Sequence, residues 1–294
     1  MVATGVAFAV TELLKLTPSP ITSTHVTRQF SPTCGCSKSK ARVEFSLRRS
    51  ERVTLSISGP RGGEIRRLLS GVDKPSGSLH SIWNGRDNTG RLVADGNYRV
   101  RVYLAKERRR IKLPNVIRLD TRAPKITSVS VSSHTISPDG DQNMDVLHIS
   151  YRLDEGAQIL LFVDGKSVEK TRYGARKSGR FDWKGLIRGR LSMGWHSLTL
   201  KAIDYVGNES TATEPISVRI RMLSLRPTRI HVVAGKKFRL AISTDRESVY
   251  WRFNGRIGLA TSRTLELRAP STPGRYRVVV RSGLYKAAAL VIVR

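Results

Sequence analysis

The chain of 294 residues has only two cysteines, Cys34 and Cys36, one residue apart. A disulfide framework needs more pairs. Joined to each other, the two thiols would close a tight, strained ring of a kind that is readily reduced. A zinc site would need further ligands, and the six histidines show no ligand spacing. The residues before Cys34, Ser31-Pro32-Thr33, form no lipobox. Aromatic residues are scarce at 6%, beside 39% hydrophobic residues, which suits several small cores better than one large one. No long segment after residue 16 carries helical periodicity. The motifs G-x-S-x-G, H-E-x-x-H, the P-loop and a strand-to-helix G-x-G-x-x-G are all missing, so no enzymatic activity and no cofactor are expected. Acidic residues are the last shortage. Against 23 Asp and Glu stand 52 Lys and Arg, a formal charge of +29 at pH 7, which implies an anionic partner or environment.

What the chain does contain is a repeat. FSPTCGCSKSKARVEFSL near residue 30 aligns without a gap with ISPDGDQNMDVLHISYRL near residue 136. Ser31-Pro32 matches Ser137-Pro138, Val43 matches Ile149, Phe45 matches Tyr151 and Leu47 matches Leu153. Trp83-Asn84-Gly85 then matches Trp183-Lys184-Gly185, and Gly96-Asn97-Tyr98 before one strand matches Gly194-Trp195-His196 before another. A repeat of this period sets the architecture before any local motif does. Within each copy, apolar residues alternate with polar ones, as in Tyr98, Val100 and Val102 or Leu198 and Leu200. That period of two, punctuated by turns such as Asp87-Asn88-Thr89-Gly90, predicts antiparallel sheets buried on one face. The stretch from Leu223 shares no clear motif with the copies, yet alternates in the same way. It predicts about seven strands with a tryptophan, Trp251, in the third. The fold expected is therefore all-β: three serial immunoglobulin-like or fibronectin-III-like sandwiches, over 21–122, 123–222 and 223–294, behind an apolar segment and linker at 1–20. Trp83, Trp183 and Trp251 are expected in the cores, and carbohydrate stacking is the alternative for each.

The run WNGRDNTGRLVADGNYRVRV resembles the signature of the FlgD-type Ig-like domain. That domain is named for the bacterial flagellar hook-capping protein and occurs on many secreted and surface proteins of bacteria. The resemblance rests on Trp83, Gly85, Arg86, Asp87, Gly90, Gly96 and Tyr98, and on SPDGDQNMD in the second copy. The second copy departs from it where His196 replaces tyrosine and where no Arg-Asp follows Gly185. The resemblance implies the sandwich fold for most of 20–220. It implies little about function, since one fold serves many.

Three smaller features carry expectations. Asp139, Asp141, Asn143 and Asp145 place oxygen atoms at alternate positions, as calcium loops do. The segment lacks the sixth-position glycine and the distal glutamate, and Asx-rich turns also form without metal, so calcium and a plain turn both stay open. Asp204, in KAIDYVGNES, reads as a turn-forming carboxylate rather than a general base. Arg108-Arg109-Arg110-Ile111-Lys112 is the densest basic run, in a hairpin, and reads as a solvated edge that discourages strand addition. Finally, MVATGVAFAV is apolar and uncharged, and ten helical residues span about half a bilayer core. One reading makes it the tail of a signal or membrane anchor, and the other a buried or disordered stub.

These features converge on a non-enzymatic, extracytoplasmic scaffold, at the cell surface or anchored to the membrane. Its partners would be a protein or an anionic cell-wall polymer, with weak non-specific binding to polyanions and a membrane contact through the N-terminal segment. Two rivals remain: a basic module whose main task is to bind an anionic polymer, wall polymer or nucleic acid, and a non-catalytic partner of an enzyme encoded nearby.

Overall fold

The computed structural model describes residues 18–139, 143–174, 176–283 and 285–294. The apolar run at the N-terminus and Asp141 lie outside the described residues. Among the described residues there are strands and turns but no helix, and so no helix long and apolar enough to cross a membrane.

The first module is built from β1 (Ile21–Val26), β2 (Gln29–Phe30), β3 (Ala41–Leu47), β4 (Glu51–Ser58), β5 (Glu64–Lys74), β6 (Gly77–Trp83), β7 (Gly96–Leu104) and β8 (Arg109–Leu119). They form a three-stranded sheet, β1-β3-β6, and a five-stranded sheet, β2-β8-β7-β4-β5. The alternation read from sequence is the alternation of burial. In β7, Tyr98, Val100, Val102 and Leu104 are buried while Arg99, Arg101 and Tyr103 are exposed. One core gathers the inner faces of both sheets around the fully buried Trp83.

The second module repeats this plan. It uses β9 (Ile126–Val131), β10 (Thr135–Ile136), β11 (Leu147–Leu153), β12 (Gln158–Val163), β13 (Lys166–Lys170), β14 (Ser178–Trp183), β15 (Leu186–Ile187), β16 (Arg190–Leu191), β17 (Gly194–Ile203) and β18 (Ile216–Ile220). Its sheets are β14-β11-β9 and β10-β18-β17-β12-β13, with β15-β16 as a small extra hairpin. The third module has β19 (Ser224–Arg226), β20 (Arg229–Val232), β21 (Lys237–Ser243), β22 (Val249–Phe253), β23 (Arg256–Ala260), β24 (Thr264–Arg268), β25 (Gly274–Ser282) and β26 (Tyr285–Val293). Its sheets are β19-β21-β24 and β20-β26-β25-β22-β23. In every module a short strand pairs in parallel with the last one: β2 with β8, β10 with β18, β20 with β26. The third module is thus a copy in topology although its sequence hides it. It has eight strands rather than seven, and Trp251 stands on the fourth, β22, half-buried at the margin of its core.

The gap-free alignment of the first two copies reappears as strand register. Ala41 of β3 sits opposite Trp83, and Leu147 of β11 sits opposite Trp183. Each indole N–H then donates to a carbonyl three residues on, Arg86 at 2.9 Å and Leu186 at 3.1 Å. Between ring and acceptor lies a glycine with φ near +75°, Gly85 or Gly185. A side chain at Gly85 would meet Pro32 and Leu119, and one at Gly185 would meet Ile220 and Ile136. Both conformation and space therefore demand glycine.

By contacts the described chain divides into two compact units. One holds the chain up to Ala123 together with Ile203–Glu209, and the other holds Pro124–Ala202 and Ser210–Arg294.

Candidate functional site

Three kinds of site were open from sequence: acidic loops, aromatic rings and basic faces. In the second copy's loop Asp139 is buried, Asp145 is half-buried and Asn143 is exposed. The backbone there closes a turn, with Ser137 N donating to Met144 O at 2.8 Å and Asp139 N to Ser137 O at 2.7 Å. Among the described residues, no three His, Cys, Asp or Glu side chains converge as a metal set would. The matching loop of the first copy carries a disulfide between Cys34 and Cys36.

Asp204 does what its turn asks of it. Its Oδ1 accepts from the N–H groups of Gly207 at 2.7 Å and Asn208 at 2.8 Å, and its Oδ2 accepts from Asn208 Nδ2 at 2.7 Å. This turn belongs to the first unit and is tied into it. Ser31 Oγ donates to Asn208 Oδ1 at 2.5 Å, and Asn208 Nδ2 also reaches the carbonyls of Asp120 at 3.0 Å and Arg122 at 3.3 Å. Lys38 Nζ donates to Tyr205 O and lies 3.7 Å from the centre of the Tyr205 ring. A Cβ on Gly207 would stand 2.7 Å from Cys36 Sγ, so the turn packs directly on the disulfide. The network is buried and its polar atoms are paired, which makes it structural rather than reactive.

A residue with a perturbed pKa in a cleft is a usual pointer to chemistry. Here the carboxylates drawn below their ordinary range are occupied with folding. The Thr89 hydroxyl, with the N–H groups of Arg91 and Thr89, holds the Asp87 carboxyl below the ordinary carboxylate range against the opposing effect of desolvation. That carboxylate shapes the Asp87-Asn88-Thr89-Gly90 turn. The second copy has no equivalent and makes the β15–β16 hairpin instead. His148 and then Arg180 draw Asp182 down. Burial pushes Asp164 up, but the Ser197 N–H and His196 outweigh it and leave it below its ordinary value. His196 meets this carboxylate at 2.7 Å through Nδ1, and its Nε2 donates to Ser192 O at 2.6 Å.

That last bond explains the replacement of tyrosine by histidine. Tyr98 Oη donates to Ala94 O at 2.6 Å, four residues upstream, just as His196 does to Ser192. Tyr276 Oη donates to Thr272 O at 2.9 Å, again four upstream, after the same Gly-x spacing at Gly274. All three modules therefore close the start of this strand with one bond, a tyrosine-corner device. The Gly274-Arg275-Tyr276 triplet was the available signal of the third repeat.

Many of the basic residues lie on outer sheet faces, and the faces differ. On the first module's five-stranded sheet, Arg52 pairs with Asp73 at 3.0 Å and Arg67 with Glu64 at 2.9 Å. A groove of about 490 Å³ there is lined by Arg101, Tyr103, Arg110, Lys112 and Glu64. The run Arg109–Lys112 lies on a part of β8 that β2 does not pair with, since β2 meets only Arg118 and Leu119. On the second module's sheet Trp195 is 66% exposed, with the Arg219 guanidinium 5.6 Å from its ring centre. Trp83 and Trp183 are core residues, fully buried in the way expected of them. On the third module's five-stranded sheet a groove of about 650 Å³ is lined by Arg252, Arg277, Arg281 and Lys286 around Val279 and Ala288. This face has no linear signature like that of the run at 108–112, because its cations come from separate strands.

No protein-family model matches the chain, and no curated protein matches it either. Solved structures similar to it are serial β-sandwiches. The fibronectin(III)-like modules of Clostridium thermocellum CbhA align at 14% identity and a TM-score of 0.36, over 68% of this chain and 95% of theirs. The I67–I69 fragment of the titin I-band aligns at 8% identity and a TM-score of 0.38, over 94% and 99%. A 1.5-MDa bacterial ice-binding adhesin, in a structure concerned with retention at the host cell surface, aligns at 13% identity and a TM-score of 0.34, over 95% and 99%. The chain is a series of immunoglobulin-like β-sandwich modules.

Proposed function

We propose that this protein is a non-enzymatic, extracytoplasmic scaffold whose serial modules space and present interaction surfaces. The observation that carries this reading is the threefold use of one module plan with one strand-opening bond at Tyr98, His196 and Tyr276. The strand order and this bond repeat while the outer faces diverge. A chain that keeps one module plan while its outward residues diverge is suited to presenting contacts rather than to housing one reaction centre. The resemblance to FlgD-type domains of bacterial secreted and surface proteins supports the same reading. The carboxylates with lowered pKa support it as well, since each is engaged in a turn or a cross-strand pair. The test is protease treatment of intact cells that express the tagged full chain. The reading expects cleavage without lysis, and protection until the cells are broken would overturn it.

A second reading makes the binding of an anionic polymer the main task. The third module favours it, because Asp245, Glu247 and Glu266 are its only acids beyond Leu223.

A further inference from the structure

The outer face of the sheet β20-β26-β25-β22-β23 carries six cations: Arg229, Arg252, Arg275, Arg277, Arg281 and Lys286. Their placement follows from alternation. Val278 and Val280 of β25 are fully buried, so Arg277 and Arg281 point the other way. Strand register brings the cations together: Arg281 lies opposite Lys286 on one side and Tyr250 on the other, and Arg252 lies opposite Val279. Among the described residues this face holds no Asp or Glu, and none of its six cations makes an ion pair. Like charges directly opposite each other in a sheet are destabilising, so the Arg281–Lys286 pairing works against the fold unless something anionic lies across it.

The opposite sheet of the same module is built differently. There Glu266 accepts from Lys237 Nζ at 2.8 Å and Arg239 Nε at 2.8 Å. One module therefore has a face on which two of the cations are paired with an acid, and a face on which none is. The second of these faces is also shaped. Small residues, Val279 and Ala288, form the floor of the 650 Å³ groove, and four cationic side chains rise around it. Tyr250, 66% exposed, stands at one side. Five of the six cations are arginine, whose planar fork pairs with carboxylate, sulfate or phosphate through two hydrogen bonds. Along β25 the span from Arg275 to Arg281 is about 20 Å at the rise of a strand, which suits an extended chain rather than a small anion.

We infer that this face binds a linear anionic polysaccharide, laid across β25 with its anionic groups on the arginine forks and its sugar rings against the apolar floor and Tyr250. The inference rests on the scaffold reading and names the chemistry of one partner. Charge complementarity carries it. The face has no helix or ribbon that could enter a duplex groove, and it offers one exposed ring rather than the succession of rings that stacks single-stranded bases.

The experiment uses the full chain and two variants of equal net charge. One carries Arg252→Ser, Arg277→Ser and Arg281→Ser on the proposed face. The other carries Lys237→Ser, Arg239→Ser and Arg268→Ser on the opposite sheet. Binding to heparin and to polygalacturonate is measured across a salt series, with oligo-dT and anionic lipid vesicles as rival ligands and thermal melting as a check on folding. The face variant is expected to lose at least about tenfold in affinity for a polysaccharide, with a salt slope shallower by about 2. The opposite-sheet variant should lose less than about twofold. A third variant, Arg277→Lys with Arg281→Lys, keeps the charge and should still lose affinity, because the forks are gone. Equal losses in the two triple variants, no binding of the parent chain to either polysaccharide, or tighter face-dependent binding to oligo-dT or vesicles would each overturn the inference. None of these results bears on protease access at the cell surface, so the scaffold reading stands or falls separately.

Discussion

The five-stranded sheets of the first and third modules have the same strand order but opposite emphases. The first module encloses an indole, Trp83, packed at steep ring angles between Phe30 at 5.3 Å and Tyr98 at 4.9 Å. Its outer face mixes cations with paired acids. The third has no indole at that place, since β24 runs into Arg268-Ala269-Pro270, and it fills its core with Phe238 and Phe253 at 5.5 Å. Its outer face carries cations alone. The difference teaches that the plan is held by inner-face volume and by the bond at the start of the long strand. It does not depend on a particular aromatic residue, and it leaves the outer face free to diverge.

The sharpest break in that comparison is at the indoles. Trp83→Ala and Trp183→Ala should each destabilise their own module by roughly 3–5 kcal/mol, because each empties a large buried site. Trp251→Ala should cost less than about 2 kcal/mol, because that ring is only half-buried. Denaturant melts of the variants check both numbers, and a loss at Trp251 equal to that at Trp83 would erase the distinction between the modules.

A second break is at Asn208. Asn208→Ala leaves Ser31 Oγ and the carbonyls of Asp120 and Arg122 without this partner, a cost of about 1–3 kcal/mol. Hydrogen exchange should show the loss around Ser31 and Asp204 and not in the third module. Uniform deprotection would contradict the assignment of this turn to the first unit.

The strand-opening bond should sort the modules next. Tyr98→Phe removes a bond in a half-buried setting and should cost about 1 kcal/mol. Tyr276→Phe should cost less, because its bond is exposed to water. A larger effect at Tyr276 would mean that the third module relies on this bond to replace its missing indole.

Much of this was legible in the sequence, for particular reasons. Period-two alternation gave the strands because each sheet has one wet face. The gap-free match of Val43 with Ile149 gave the register because both stand opposite the tryptophan strand. The third repeat was hidden because its corner survives only as Gly274-Arg275-Tyr276, with no tryptophan turn before it. The basic face was hidden because strand pairing, which joins Arg281 to Lys286 and Tyr250, does not appear in linear sequence. His196 looked like a departure and is a substitute, since an imidazole N–H reaches the same upstream carbonyl that a phenol does.

The smallest expected effect is with pH. Asp87 and Asp164 have pKa values lowered in the fold, so each contributes stability above the ordinary aspartate value of about 3.9, and that contribution is lost as pH falls through the folded value. Asp87→Asn should therefore flatten the acid limb of the first module's melting curve below about pH 4 and leave the third module's unchanged. An acid limb that does not change would show that the Asp87 turn contributes nothing through its charge.

The central claim is that inner faces hold the modules while one outer face binds. Hydrogen exchange of the full chain with and without heparin tests it in one measurement. Added protection should concentrate in β22, β25 and β26 of the third module, with β4 and β7 of the first left as they were. Protection spread over all three modules in proportion to their charge, or none in the third, would contradict the account.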